Sequence, residues 1–379
     1  MISQNSLPSF LPILSPDQYR LDLMRVGVVG TGMMGCEHLR NLLAIDGVHV
    51  TAISDPNSEP LGWARKTLEG SPHRPREFAD HRSLAESGLV DAVIVASPNF
   101  THKSVLDDLL RTDLHVLVEK PLCTTVEDCE QVVALAAGRD AVTWVGLEYR
   151  YMPSIAKMHS LVREGRIGNV RMMAIREHRF PFLQKVGDWN RFNRFTGGTL
   201  VEKCCHFFDL MNLVVAAKPT RVFASGAQDV NHLDERYGGE KPDIIDNAYV
   251  IVDYESGARA MLDLCMFAET GSNEQEITVV GDRGKIEAYV PGEGVVVFGD
   301  RTTSQVERIS CSPSEDPGHV GFHHGASFIE VRNFLEAVRG ERPVEVDATQ
   351  GLWSVVIGVA AHRSIELGRP VRCDEVSSH

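Results

Sequence analysis

The hexapeptide Gly30-Thr31-Gly32-Met33-Met34-Gly35 follows an apolar run, Met24–Gly30, and opens a segment with helical spacing, Met33–Ala44. No other feature constrains the fold as much. In this setting the first glycine permits a tight turn, the second lets backbone approach a pyrophosphate, and the third lets the helix pack close to the strand. The helix start offers free N–H groups to the phosphates. Asp55 stands at the end of a second apolar run, Val48–Asp55, where an acidic side chain accepts from both ribose hydroxyls of a dinucleotide. Pro56, Asn57 and Ser58 follow it and carry no cation for a 2′-phosphate, so NAD is the expected cofactor rather than NADP.

Further strands are expected at Val90–Ser97, His115–Glu119 and Val142–Gly146, with helix-length segments between them. One helix opens at the capping-box spacing Thr124-x-x-Glu127 and runs to about Ala137. Alternation of this kind implies a doubly wound parallel sheet with helices on both faces. After Tyr149 the pattern changes to a helix from about Pro153, a strand at Val170–His178 and a helix from about Leu200. Strand-like runs follow at Val222–Ala227, Ala248–Tyr254, Arg259–Cys265, Ile277–Val280 and Val295–Phe298, and helices near Ala326–Val338 and Thr349–Leu367 end the pattern. Short turns at 255–257 and 281–284 indicate antiparallel pairing. The expected organisation is a tail at 1–23, a dinucleotide-binding unit at 24–147 and a substrate-binding and oligomerisation α/β unit at 148–379.

Two domains also suit a chain of 379 residues. Its net charge of -14 leaves no electrostatic footprint for nucleic acid or an anionic membrane. No apolar run approaches the roughly 18 residues that a bilayer requires. The proline-punctuated N-terminus lacks the basic and apolar regions of a signal peptide, and the eight cysteines form no C-x-x-C pair, so a cytoplasmic location is expected.

Three motifs carry a resemblance. They are Asp91-Ala-Val-Ile-Val-Ala-Ser-Pro-Asn-Phe-Thr-His102, His115-Val-Leu-Val-Glu-Lys-Pro121, and Gly197-Gly-Thr-Leu-Val-Glu-Lys-Cys-Cys-His-Phe-Phe-Asp209. Together with the glycine turn, they resemble the Gfo/Idh/MocA family. The resemblance implies an N-terminal Rossmann domain and a C-terminal α/β domain with a large, mainly antiparallel open sheet, commonly used to form homo-oligomers such as dimers or tetramers. It also implies cofactor contacts from Gly30, Gly32, Met33, Met34, Gly35, Asp55, Ser97, Asn99, His102, Glu119 and Lys120. Where the family's inositol dehydrogenases have Asp, this chain has Glu202.

Oxidising a secondary alcohol needs a group that accepts the hydroxyl proton and one that favours the developing alkoxide. Lys120 and His206 are the candidates, and the residues alone leave open which takes the proton. Burial is expected to lower the Lys120 pKa. Glu202 and His206, four apart on one expected helix, would share a face, the carboxylate orienting the imidazole. No metal is expected, because Cys204 and Cys205 would point about 100° apart on a helix. His323-His324 is expected to be a loop pair.

The segment from Arg176 to Arg194 concentrates Arg176, Arg179, Lys185, Arg191 and Arg194 in an acidic chain, interleaved with Phe180, Phe182, Trp189 and Phe192. Cations of this kind grip an anionic substituent while aromatics cover a sugar ring. A lid or subunit-interface loop, its cations paired with the protein's own carboxylates, is the equal alternative. The candidate substrate contacts are Arg150, Arg176, His178, Arg179, Lys185, Trp189, Arg191 and Arg194. The expected activity is NAD-dependent oxidation of a ring hydroxyl on a sugar, sugar acid or cyclitol, with an anionic substituent on the substrate. The alternatives are an NAD-dependent glycosidase that oxidises C3 transiently, acting on an anionic glycoside such as a sulfoquinovoside, and a non-catalytic nucleotide sensor or assembly protein.

Overall fold

The computed structural model describes residues 23–292, 294–311, 320, 321 and 323–379. The expected tail at 1–23 lies outside these residues apart from Leu23.

The first unit runs β1 (Met24–Val29), α1 (Met33–Leu43), β2 (Val48–Ser54), α2 (Ser58–Thr67), β3 (Arg76–Phe78), α3 (His81–Ala85), β4 (Ala92–Val95), α4 (His102–Leu109), β5 (His115–Glu119), α5 (Val126–Ala137) and β6 (Thr143–Gly146). Its six strands lie in the order β3-β2-β1-β4-β5-β6 and are all parallel. β1, β4, β5 and β6 are buried almost throughout, as strands covered on both faces must be. Strand order reverses between β1 and β4. A crevice therefore opens beyond their carboxyl ends, the usual ligand position in such sheets.

The second unit runs α6 (Pro153–Arg163), β7 (Val170–His178), α7 (Asn193–Thr196), α8 (Thr199–Glu202), α9 (Cys205–Val215), β8 (Pro219–Ala227), β9 (Asn247–Tyr254), β10 (Arg259–Cys265), β11 (Gln275–Gly281), β12 (Gly284–Val290), β13 (Val295–Asp300), β14 (Gln305–Ser310), α10 (Ala326–Val338), α11 (Ala348–Leu367) and β15 (Val371–Arg372). The nine-stranded order is β14-β13-β12-β11-β7-β10-β9-β8-β15. Every neighbouring pair is antiparallel except β7 with β10. Alternate residues of β8, β9 and β10 are buried, while the opposite face exposes Phe223, Tyr249, Ile251 and Met261.

Two local expectations are corrected. The helix after Pro121 is capped one residue later than the spacing suggested, by Thr125, whose side chain accepts from the Asp128 N–H. The single helix expected from Leu200 is two helices, α8 and α9, broken at Lys203 and Cys204. Glu202 and His206 consequently do not share a continuous helical face.

Candidate active site

The crevice at the strand reversal is a cleft of about 600 Å³. Gly30 closes the β1 turn at φ +86°, and a Cβ there would lie 2.6 Å from the Ser97 nitrogen. At Gly35 a Cβ would lie 2.1 Å from the Gly30 carbonyl, so the two glycines let turn, β4 loop and helix touch. Gly32 faces open space in the cleft wall beside Met33 and Met34. No side chain caps α1, which leaves its first N–H groups for a phosphate. Asp55 Oδ2 accepts from Thr31 N at 2.9 Å and so ties the second strand to the turn. Its cleft neighbours Pro56, Asn57, Pro60, Trp63, Ala79 and Asp80 include no Lys or Arg, and His81 beside them is paired with Asp108 at 2.7 Å. Asn99 lines the same cleft with a buried Nδ2 that has no partner. The glycine cradle and this orphaned donor fit a dinucleotide.

Ser97, Glu119 and Lys120 also line the cleft. His102 does not: it is buried, its ring nitrogens 2.8 Å from the Pro121 carbonyl and 3.0 Å from the Ser97 carbonyl, and it bridges the two loops from behind. Burial pushes its pKa down despite those carbonyls.

At the far end of the cleft Lys120 Nζ donates to the Glu202 backbone carbonyl at 3.2 Å. That carbonyl is available because the helix breaks just after it. Burial pulls the Lys120 pKa down, but Cys205, Glu202, Glu119 and Glu148 outweigh it, and the net direction is upward. The expected lowering is corrected on this ground: acidic neighbours keep the ammonium charged. Burial pushes the Glu202 carboxyl above the usual range, and its Oε2 is buried without a partner. Glu119 is held below that range because the His38 imidazole, 2.6 Å away, and the Lys120 charge outweigh burial.

His206 is 2% exposed and does not line the cleft. Its ring stacks on Tyr149 at 3.9 Å between centroids and 6° between planes. Burial, with the charges of Lys120 and Lys203, drives its pKa far down, so the imidazole is neutral.

Two family profiles match this chain. One, described as the NAD-binding Rossmann fold of an oxidoreductase family, matches residues 24–147, and the other, the C-terminal alpha/beta domain of that family, matches residues 159–373. The chain belongs to the Gfo/Idh/MocA oxidoreductase family. It is an NAD-binding oxidoreductase. A myo-inositol 2-dehydrogenase from Thermotoga maritima is 28% identical over 93% of this chain and 99% of its own length. A scyllo-inositol 2-dehydrogenase (NAD(+)) from Bacillus subtilis is 25% identical over 93% of this chain and 96% of its own. The fold is shared with a solved oxidoreductase domain protein from Kribbella flavida, at TM-score 0.82 and 21% identity, covering 93% of this chain and 100% of the other.

The candidate substrate residues of this Gfo/Idh/MocA chain are dispersed. Lys185 and Trp189 line the cleft, with Gln184, Val186 and Phe100. Arg176 and His178 lie on the outer face of β7 and pair with Asp263, Arg176 reaching Glu276 as well. Arg191 pairs with Glu235 at 3.1 Å, Arg194 with Glu240, and Arg179 lies 3.6 Å from Glu177. Arg150 is buried against Asp209. The cations of the Arg176–Arg194 segment therefore do not converge on the cleft. Of the five, Lys185 alone lines it, and no ion pair is formed by Lys185 among the described residues. Burial pulls its pKa below the ordinary lysine value, with Glu202 opposing and Lys120 adding to the fall.

Phe100, Gln184, Glu148 and His38 were not singled out by the sequence. Phe100 had a signal, an aromatic inside the Ser97–His102 motif, and its ring stands 6.2 Å from Trp189 across the cleft. Glu148 had one too: a charged residue two positions after the buried strand β6.

Proposed function

We propose that this chain oxidises a ring secondary hydroxyl of a sugar, sugar acid or cyclitol, residues 24–147 holding NAD and residues 148–379 the substrate. The carrying observation is that Lys120, Glu202 and Lys185 converge at one end of a cleft whose other end is the glycine turn and Asp55. When bound, NAD supplies the hydride acceptor.

Lys120, kept charged and anchored on the Glu202 carbonyl, donates to the reacting oxygen and stabilises the negative charge that grows there. His206, neutral and buried near enough for the Lys120 charge to depress it, receives the hydroxyl proton. The unpartnered Glu202 oxygen accepts from a neighbouring ring hydroxyl. Trp189 and Phe100 cover an apolar ring face. Among the described cations of the Arg176–Arg194 segment, Lys185 is the one placed to meet an anionic substituent.

The test is absorbance at 340 nm with NAD and a panel of inositols, neutral sugars, sugar acids and glycosides. Steady NADH production supports the dehydrogenase. Aglycone release without NADH supports the glycosidase, and NAD binding with no turnover of any compound overturns both.

The outer face of the C-terminal sheet supports a homo-oligomer, a dimer or tetramer. Phe223, Ile251 and Met261 stand in register across β8, β9 and β10 and are exposed. On either side lie charged ladders, Arg176–Asp263 and Arg221–Asp253. Light scattering on Ile251→Arg should then report smaller particles than the parent protein.

A further inference from the structure

A group of ionisable side chains lies beyond His206, and contact with substrate does not require it. Glu148 follows β6, is 1% exposed, and neither of its carboxyl oxygens has a hydrogen-bond partner. Its Oε1 is 3.8 Å from His206 Nε2 and 3.3 Å from His323 Nδ1, so one oxygen stands between two imidazoles. Ser327 Oγ sits 3.1 Å from the same His323 nitrogen. The His206 side chain is 2% exposed and that of His323 is 21% exposed. The file therefore starts at a ring buried behind the cleft lining and runs towards solvent.

Alcohol oxidation releases one proton per turnover, and the proposed acceptor is sealed from water. We propose that His206, Glu148 and His323 form a relay that carries the substrate's hydroxyl proton from the active site to solvent. The relay rests on the reading of His206 as proton acceptor. A proton arriving on His206 makes an imidazolium, whose Nε2–H passes to Glu148 in its ionised form, the form that is populated as pH rises through about 8. Glu148 then hands a proton to His323 Nδ1, and the His323 imidazolium loses one to water. One proton enters, one leaves, and no electrons move. A shift of about 1 Å brings the 3.8 Å gap to hydrogen-bond length.

Burial, with Lys203, Lys120 and Arg179, holds His323 down at about 3 and His206 far below its ordinary value, so both rings are neutral at rest, each imidazolium is a transient carrier, and the carboxyl between them is the group that titrates. Burial is the main cause holding Glu148 up at about 8, and the Glu119 charge adds to it. Lys120 and Lys203 oppose. Glu330, on α10, is also buried and held up, partly by Glu148 and Glu119. His38 binds Glu119 from α1. With three carboxyls in one buried volume, the charge settles on Glu119, which has both His38 and Lys120, and Glu148 is left to titrate.

The experiment uses Glu148→Gln and His323→Ala in the full chain. With a substrate accepted in the 340 nm assay, each variant should lose about tenfold or more in kcat with KM and NAD affinity unchanged. Added imidazole should restore His323→Ala, whose gap reaches solvent, and not Glu148→Gln. Turnover within twofold of the parent in either variant, or no rescue of His323→Ala, overturns the relay. A substrate-free measurement separates this from failure of the dehydrogenase reading. In protein labelled with 15N-histidine, the His206 and His323 signals should shift together through one transition near pH 8. That shared transition should vanish in Glu148→Gln. Independent titration of the two rings, or a transition that survives the substitution, overturns the relay whether or not any substrate is turned over.

Discussion

Lys120 reaches across 82 positions of sequence to hydrogen-bond the backbone carbonyl of Glu202 at 3.2 Å. One residue directly follows the Rossmann sheet's fifth strand and the other ends a four-residue helix of the second unit. A continuous helix would have spent that carbonyl on the N–H four residues on. The break between α8 and α9 therefore joins the two halves of the site, and it fixes the lysine by backbone, whatever acid stands at position 202.

A first prediction concerns the pair itself. Lys120→Met and His206→Ala should fold and bind NAD but lose most turnover if, as proposed, one holds the reacting oxygen and the other takes its proton. Residues acting on a single step are non-additive. The double variant should therefore be little slower than the slower single. Fully multiplicative losses would separate the two roles, and near-parental turnover in Lys120→Met would remove it from the chemistry.

The cofactor preference follows from Asp55. Its carboxylate lines the cleft with no Lys or Arg nearby, and if the ribose binds there, as proposed, a 2′-phosphate would meet repulsion and displace the ribose hydrogen bonds. NAD should bind more tightly than NADP by about 2 kcal/mol, roughly 30-fold. Asp55→Ala should narrow that ratio in paired titrations. Equal affinities in the parent protein would defeat the argument.

The parallel sheet and the glycine turn were legible because each is a local pattern: apolar runs with period-free burial, and glycines that only a close approach explains. The antiparallel turns at 255–257 and 281–284 were legible for the same reason. Arg76–Phe78 and Gln305–Ser310 were not, since short or charge-bearing strands at the margins of a sheet carry no apolar signature. Gly284–Val290, an interior strand, does alternate buried Ile286, Ala288 and Val290, but Lys285 and Glu287 interrupt that short pattern. Charge pairing was the least legible feature. Arg176, Arg191 and Arg194 read as a cluster along the chain, yet their partners Asp263, Glu235 and Glu240 lie 40 to 90 residues away. Sequence gives the cations, whereas the fold decides which of them are already neutralised.

That distinction bears on the substrate. If the ring carries a carboxylate, sulfonate or phosphate, Lys185 is its partner. Lys185→Met should then lower kcat/KM for the charged substrate by about 10- to 100-fold, the range for losing one charge-assisted contact, and hardly change an uncharged analogue. Arg176→Gln, on the outer sheet face, should leave the ratio of the two specificity constants unchanged. A constant ratio in Lys185→Met would leave a neutral sugar or cyclitol as the substrate.

The last prediction reads the buried carboxyl through stability. Glu148 titrates near 8 in the folded protein, whereas an unfolded chain releases that proton near pH 4.3. Between those values the folded state binds the extra proton, so the contribution of Glu148 to stability is full below about pH 4 and declines as pH rises through 8. Above that both states are ionised and the cost stays level. Glu148→Gln keeps the shape of the protonated form and removes the titration. Relative to the parent, the variant should therefore gain stability from pH 5 to pH 8, by up to about 1 kcal/mol per pH unit for a well-isolated group. Comparing melting temperatures at pH 5, 6, 7 and 8 exposes the trend, because groups outside the Glu119, Glu148 and Glu330 cluster contribute equally to both proteins and cancel. A difference that stays flat across the window, or one that shrinks as pH rises, would mean that Glu148 is already ionised in the folded protein and that the charge in the buried cluster rests on it rather than on Glu119.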